Sequence, residues 1–272
     1  MAQSAEPRRE AKAIRPGAVL ATIVVAIAIV VTAAPRILTF WRSAEDVVSD
    51  TRLATLSPAP GAPKIVVVTI TEETLAALPY RSPFDRRYLA ELVKALGVSG
   101  VSVLGIDILF DRPTEPAKDG ALMAAFHGFK APIVLAWADT RHGLDELQAA
   151  FLDAFTEEAG VKRGLSVFQT DSDGTVRRLP RIPAEEMQSF AAVIAAEAGA
   201  AAASPPGRIA YLRPGPDGAS AVPTIPAQVV LTFAKTRPDL LSAMLRGKIV
   251  LIGADLPHDD RHRTPLDRKS VV

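Results

Sequence analysis

Hydrophobic and polar positions alternate along this chain on three different periods, and each period predicts a different kind of element. The first is no period at all. From Gly17 to Ala34 (GAVLATIVVAIAIVVTAA) no side chain is charged or strongly polar. As a helix rising 1.5 Å per residue this run covers about 27 Å, close to the thickness of a bilayer's hydrocarbon core. Phe40 and Trp41 follow at the place where aromatic side chains favour the membrane–water interface. The run is too long for the apolar part of a secretory leader, and Pro35 after Thr32-Ala33-Ala34 makes a poor cleavage context. The pattern therefore predicts a transmembrane helix with its interfacial end over residues 17–41, a basic cytoplasmic tail over 1–16 and a juxtamembrane linker over 42–63. Within that linker a short amphipathic helix is expected from Ala44 to Leu56, and the proline-rich Ser57–Pro63 cannot continue it.

After Pro63 short apolar runs alternate with amphipathic segments. Ile65–Ile70 (IVVVTI), Pro132–Ala136 and Lys248–Gly253 read as buried strands, being β-branched and bounded by turn residues. Gly100–Asp111 (GVSVLGIDILFD) is the longest such run and predicts a central strand carrying two acids, Asp107 and Asp111. Between the strands, Asp85 caps a helix in which Tyr88, Leu89, Leu92, Val93 and Leu96 share one face. Further helices are expected at Asp119–Phe126, Leu144–Glu158, Gln188–Ala203 and Pro226–Lys235, and further strands at Gly164–Phe168 and Arg208–Leu212. Asp171–Gly174 (DSDG) predicts a tight turn leading to a return strand from Thr175 to Leu179. Strands alternating with helices specify one α/β domain over residues 64–266, a mostly parallel sheet flanked by helices.

Composition narrows the function classes. The 272 residues are 49% hydrophobic with a net charge of +1, so a core can form and no generally basic surface is offered to nucleic acid. The chain has no cysteine, which removes thiol catalysis, disulfides and thiolate-bound metal. No nucleophile elbow, phosphate-binding loop or dinucleotide fingerprint occurs. The DSDG turn begins like a calcium loop, but Ile182 stands where the bidentate glutamate would be required. His258-Asp-Asp-Arg-His262 carries metal-donor residue types at local spacing only, and a solvated loop explains it as well. No metal or other cofactor is expected.

Acids at strand ends are the candidate functional residues, because ligands of open α/β sheets gather beyond the carboxyl ends of strands. Asp107, Asp111, Asp171, Asp173, Arg177 and Asp260 form this set, as ligand-binding or structural groups. An acid inside an apolar run must be paired to be buried. Asp107 is therefore expected to be buried and bonded to backbone amides or to Arg177 or Arg178.

Five landmarks occur in order: the apolar helix, Pro83–Val93 (PFDRRYLAELV), Gly105–Asp111 (GIDILFD), Asp171–Arg178 (DSDGTVRR), and Arg246–Gly253 (RGKIVLIG) with Asp260 and Thr264-Pro265-Leu266. In this order, roughly from Ser43 to Leu266, the chain resembles the class-two CHASE domain, an extracellular sensor associated with cyclases and histidine kinases. The resemblance implies a domain outside the bacterial inner membrane that senses a small ligand or an envelope condition. It also implies further membrane helices and a cytoplasmic output: a nucleotide cyclase, a histidine kinase, a Ser/Thr kinase or a cyclic-di-GMP enzyme. After Leu266 the sequence reads Asp267–Val272 (DRKSVV), an unmatched tail with no second span and no output. The expectation is a truncated or frame-shifted product, or a sensor half that needs a separate partner, without enzymatic activity of its own. Thr71-Glu72-Glu73 stands where the family often has an Asp-Glu pair, which weakens a carboxylate role there.

The expected partners are the inner membrane, an unidentified small ligand or envelope signal and, through small residues at Ala18, Ala21 and Ala28, a second copy forming a homodimer. A different class, an anchored periplasmic hydrolase with Asp107, Asp111 and Asp260 around a metal, is the alternative.

Overall fold

The computed structural model describes residues 16–37, 39–56, 64–180, 182, 187–200, 207–212, 220–256 and 262–266. The chain divides into two compact units, residues 1–55 and 56–272. The first unit holds helix α1 (Pro16–Ile37) and most of α2 (Thr39–Leu56). Uninterrupted apolar residues make α1. Its described side chains lie bare on every face, from Leu20 at 64% exposed to Ile23 at 49% and Val31 at 63%. Among the described residues no helix is long and apolar enough to cross a membrane. The transmembrane helix expected over residues 17–41 is thus not found among the described residues. α2 begins earlier than the expected helix from Ala44.

The second unit is a parallel α/β fold. Six strands form one sheet in the order β4-β3-β2-β8-β1-β7, every neighbour parallel. They are β1 (Ile65–Ile70), β2 (Val103–Ile106), β3 (Ile133–Trp137), β4 (Lys162–Leu165), β7 (Thr224–Pro226) and β8 (Ile249–Ala254). The chain runs outward through β2, β3 and β4, crosses to β7 at the opposite edge, and returns as β8 between β1 and β2. The last strand in sequence thereby becomes central, with Val66 opposite Val250 on one side and Leu104 opposite Val250 on the other.

Alternation within the strands sorts side chains onto two faces. Leu104, Ile106, Val68, Leu135, Val250 and Ile252 point into the main core, where helices α4 (Arg86–Val98), α5 (Pro116–His127), α6 (Glu146–Ala159), α8 (Ala227–Thr236) and α9 (Pro238–Leu245) cover them. Leu75 of the short α3 (Glu72–Ala76) joins the same core. Val103 and Val134 point the other way, against Ile194 of α7 (Phe190–Glu197). Two glycines let α7 approach that face. A Cβ on Gly164 would sit 2.5 Å from the Phe190 Cα, and one on Gly105 would sit 2.6 Å from Ile194 Cδ1. Glycine in a buried strand marks such close approaches.

Several boundaries differ from the expectations. The run Gly100–Asp111 is strand only to Ile106, so Asp107 to Asp111 form the loop beyond it. The helix expected at Gln188–Ala203 is limited to Phe190–Glu197, capped by Ser189. Arg208–Leu212 is no strand, contributing only a bridge between Arg208 and Arg178. The short β5 (Gln169–Thr170) and β6 (Val176–Arg178) form the expected hairpin around the DSDG turn, with Gly174 at φ 77°.

Candidate functional site

A cleft of about 830 Å³ opens beyond the carboxyl ends of β1, β2, β4 and β8. Its floor comes from the residues that follow each strand, Asp107 and Ile108 after β2, Ser166 after β4, and Gly253 and Ala254 at the end of β8. Parallel strands make this placement unavoidable, because every carboxyl end lies on one edge of the sheet. One wall is the segment Arg81–Phe84, and the opposite wall is built from Phe168, Val176, Tyr211, His262 and Thr264.

Asp107 is on this floor and is exposed, not buried. The expectation of a buried carboxylate fails because β2 ends one residue earlier. The Asp107 side chain lines the cleft, while its amide continues the sheet by donating to Ile252 O at 2.8 Å. Its Oδ1 accepts from Ser166 Oγ at 2.8 Å. The expected pairing with Arg177 or Arg178 also fails. The Arg177 guanidinium is buried and bonds to Asp171 at 3.0 Å and to Asp173 at 2.8 Å, while Arg178 reaches Asp171 at 2.6 Å. The DSDG turn therefore supplies its own cation partners within seven residues. Hydrogen bonds from Arg177 hold the Asp173 carboxyl far below the usual range, against the smaller effect of burial. Asp171, Asp173 and Arg177 form a structural brace outside the cleft floor. It holds β6 in place, and β6 in turn is bonded to residue 263 through Val176 N to Arg263 O at 2.8 Å.

Asp111 does line the cleft. Arg112 bonds to it at 2.9 Å and Gln148 of α6 at 2.7 Å, and the Arg112 contact is the larger cause of its lowered pKa. Asp260 and the rest of residues 257–261 lie outside the described residues, so the alternative metal set of Asp107, Asp111 and Asp260 cannot be assembled from them. Among the described residues no three His, Cys, Asp or Glu side chains come together to hold a metal. His262 is placed, and its ring lies 5.0 Å from that of Phe168.

The wall at residues 81–84 is fixed from behind. Lys118 Nζ donates to Asp85 at 2.7 Å, Glu115 at 2.8 Å and the Tyr80 hydroxyl at 3.0 Å. These bonds, that to Asp85 first, raise the Lys118 pKa, and the same contacts draw Glu115 down to about 2. Beside them Arg86, 1% exposed, lies 4.3 Å from the Phe110 ring centroid and 3.7 Å from Asp119. Burial lowers its pKa to about 10. The two motifs PFDRRYL and GIDILFD meet here: Asp85 caps α4, and Arg86 props the loop that carries Asp111.

Sequence reasoning missed Ser166, Phe168, Tyr211, Arg81 and Arg112 as cleft residues. Arg112 precedes Pro113, a pairing that signals only a turn, and Ser166 carries no local signal, since its partner is 59 residues away. Among the described residues the cleft brings together carboxylate and hydroxyl oxygens, apolar walls and two arginines, each bonded to a carboxylate. No curated protein and no solved structure matches the chain. The family model of the CHASE2 domain matches residues 22–272, and the chain belongs to that family of extracellular sensory domains of signalling proteins.

Proposed function

We propose that this chain is the membrane-anchored input module of a bacterial signalling protein, with residues 64–266 in the periplasm and the cleft beyond β1, β2 and β8 as the place where its signal binds. The single observation that carries the reading is the cleft itself, which lies beyond the carboxyl ends of the central strands and has the volume of a small-molecule site. In this reading α1 is the anchor. Its apolar side chains are exposed on every face, the pattern of a helix that sits in lipid, and the basic residues before Pro16 favour a cytoplasmic tail. The output is a cyclase or kinase activity supplied by catalytic sequence other than these residues. Binding biases it only through contacts that differ between the bound and empty states.

The chain has no cysteine, so one introduced thiol reports topology cleanly. Val98 is 81% exposed at the end of α4, and Val98→Cys leaves the core untouched. In intact cells this thiol reacts with a membrane-impermeant maleimide that has crossed only the outer membrane. Labelling that requires lysis of the inner membrane would place the domain in the cytoplasm and end the reading.

A further inference from the structure

Hydrogen-bonding capacity that the protein does not itself use lies on the floor and both walls of the cleft, and it is mixed in kind. Arg112 gives its Nε–H and one Nη2–H to Asp111, at 3.2 and 2.9 Å, so of a guanidinium's five N–H donors three are left. Ser166 and Tyr211 give their hydroxyl protons to Asp107 and to the Val176 carbonyl, both at 2.8 Å, and keep oxygen lone pairs as acceptors. The hydroxyls of Ser82 on one wall and Thr264 on the other make no hydrogen bond among the described residues, so each can donate and accept. The lining sets Arg81 and Arg112 against Asp107 and Asp111, and so presents no excess charge to select an ion of either sign. A neutral ligand rich in hydroxyl groups answers such a surface, because every hydroxyl both donates and accepts.

The second feature is aromatic. Phe168 lines the cleft yet is 61% exposed, and the His262 ring stands at 46° to it, with no second ring parallel to it among the described residues. One open face is a platform and not a slot, so a flat base would be gripped on one side only. The negative face of an aromatic ring attracts the polarised C–H hydrogens that a saturated sugar ring presents on one of its sides. We propose that the cleft binds a neutral sugar, with the C–H side of its ring on Phe168 and its hydroxyls on Arg112 and the hydroxyl groups of the floor and walls. This rests on the reading of the cleft as the sensor's binding site and adds the chemical class.

The test is saturation-transfer NMR on the full chain, held in a detergent without a sugar head group. The probes are glucose, galactose, mannose, xylose and N-acetylglucosamine, with glucuronate, glucosamine and adenosine for comparison. At least one neutral sugar binds saturably, with the strongest transfer to its ring C–H protons. Its affinity falls roughly tenfold in Phe168→Ala and in Thr264→Val. Thr264→Val keeps the parent melting temperature, because it removes a hydroxyl that bonds to nothing among the described residues, so its effect reads the ligand and not the fold. Glucuronate, glucosamine and adenosine each bind at least about tenfold more weakly than that sugar. No saturable binding of any neutral sugar, equal binding of a charged analogue or of adenosine, or indifference to either substitution overturns the class. Gly253 is on the cleft floor, and a Cβ there meets nothing closer than the Asp107 Cβ at 3.9 Å, so the variant Gly253→Leu plugs the cleft and separates the two failures. If a charged analogue or adenosine is the tighter ligand and Gly253→Leu abolishes its binding, the cleft stands and only the class is wrong. If a probe binds the parent and Gly253→Leu alike, the cleft reading fails with it.

Discussion

The guanidinium carbon of Arg86 stands 4.3 Å from the centre of the Phe110 ring, with both side chains fully buried. This contact joins the start of α4 to the loop after β2, and so joins the two most recognisable motifs of the sequence. Nε and Nη1 of Arg86 have no hydrogen-bond acceptor, while Nη2 makes a long bond to Arg112 O at 3.4 Å. Stacking on the ring and the charge of Asp119 therefore hold this cation.

Arg86→Ala leaves a void beside Phe110 and Phe155 and an acid, Asp119, without its cation. Chemical denaturation should show a loss of about 3–5 kcal/mol. Arg86→Lys should recover little of it, because an ammonium cannot stack as a plane. A lysine variant as stable as the parent would show that charge alone suffices.

Lys118→Met should loosen the cleft wall without unfolding the domain. Hydrogen exchange in Tyr80–Asp85 should quicken while the amides of β1 and β8 keep their protection. Unchanged exchange at Tyr80–Asp85 would mean that the wall is held from elsewhere.

The same cluster predicts a pH window. Glu115 and Asp85 have folded pKa values below their usual 4.5 and 3.8. For Asp85, burial alone would raise the value, and the bonds from Lys118 and the Tyr88 amide outweigh it. The stabilisation from both acids is therefore complete above about pH 4.5 and fades as the pH falls through their lowered pKa values, about 2 for Glu115. Lys118 has a raised pKa, so its contribution is complete below 10.5 and fades above it. Protection of Tyr80–Asp85 should be flat from pH 5 to 9 and fall on the acid side before global unfolding. Acid fading that persists in Lys118→Met would assign it to other groups.

Gly164→Ala should cost more than Gly105→Ala, by about 1–3 kcal/mol. The new methyl at residue 164 would meet backbone atoms of Phe190 at 2.5 and 2.8 Å, whereas at residue 105 it meets the flexible ends of Ile194 and Leu251. Equal melting temperatures for the two variants would show that α7 shifts as a unit.

The strands that build the sheet centre were readable because β-branched runs such as Ile65–Ile70 and Ile249–Ile252 have one stable fate, burial between helices. Thr224–Pro226 was not readable, being three residues ending in a proline that only an edge strand tolerates. α9 was hidden by Arg237-Pro238, which looks like a break yet begins the next helix. At the site, Asp107 could be recognised as unusual, but its exposure depended on where β2 stopped, and strand ends are weakly encoded. Arg177 could be expected to seek an acid, and it found the nearest two, within its own hairpin. The meeting of Asp107 with Ser166 is a product of sheet order alone.

The most direct test of the cleft as the sensor's binding site is a thermal-shift screen of small molecules on the full chain and on Gly253→Leu in parallel. The account predicts compounds that raise the melting temperature of the parent in a concentration-dependent way and leave the plugged variant unmoved. Compounds that stabilise both proteins equally would place ligand binding elsewhere on the domain and contradict it.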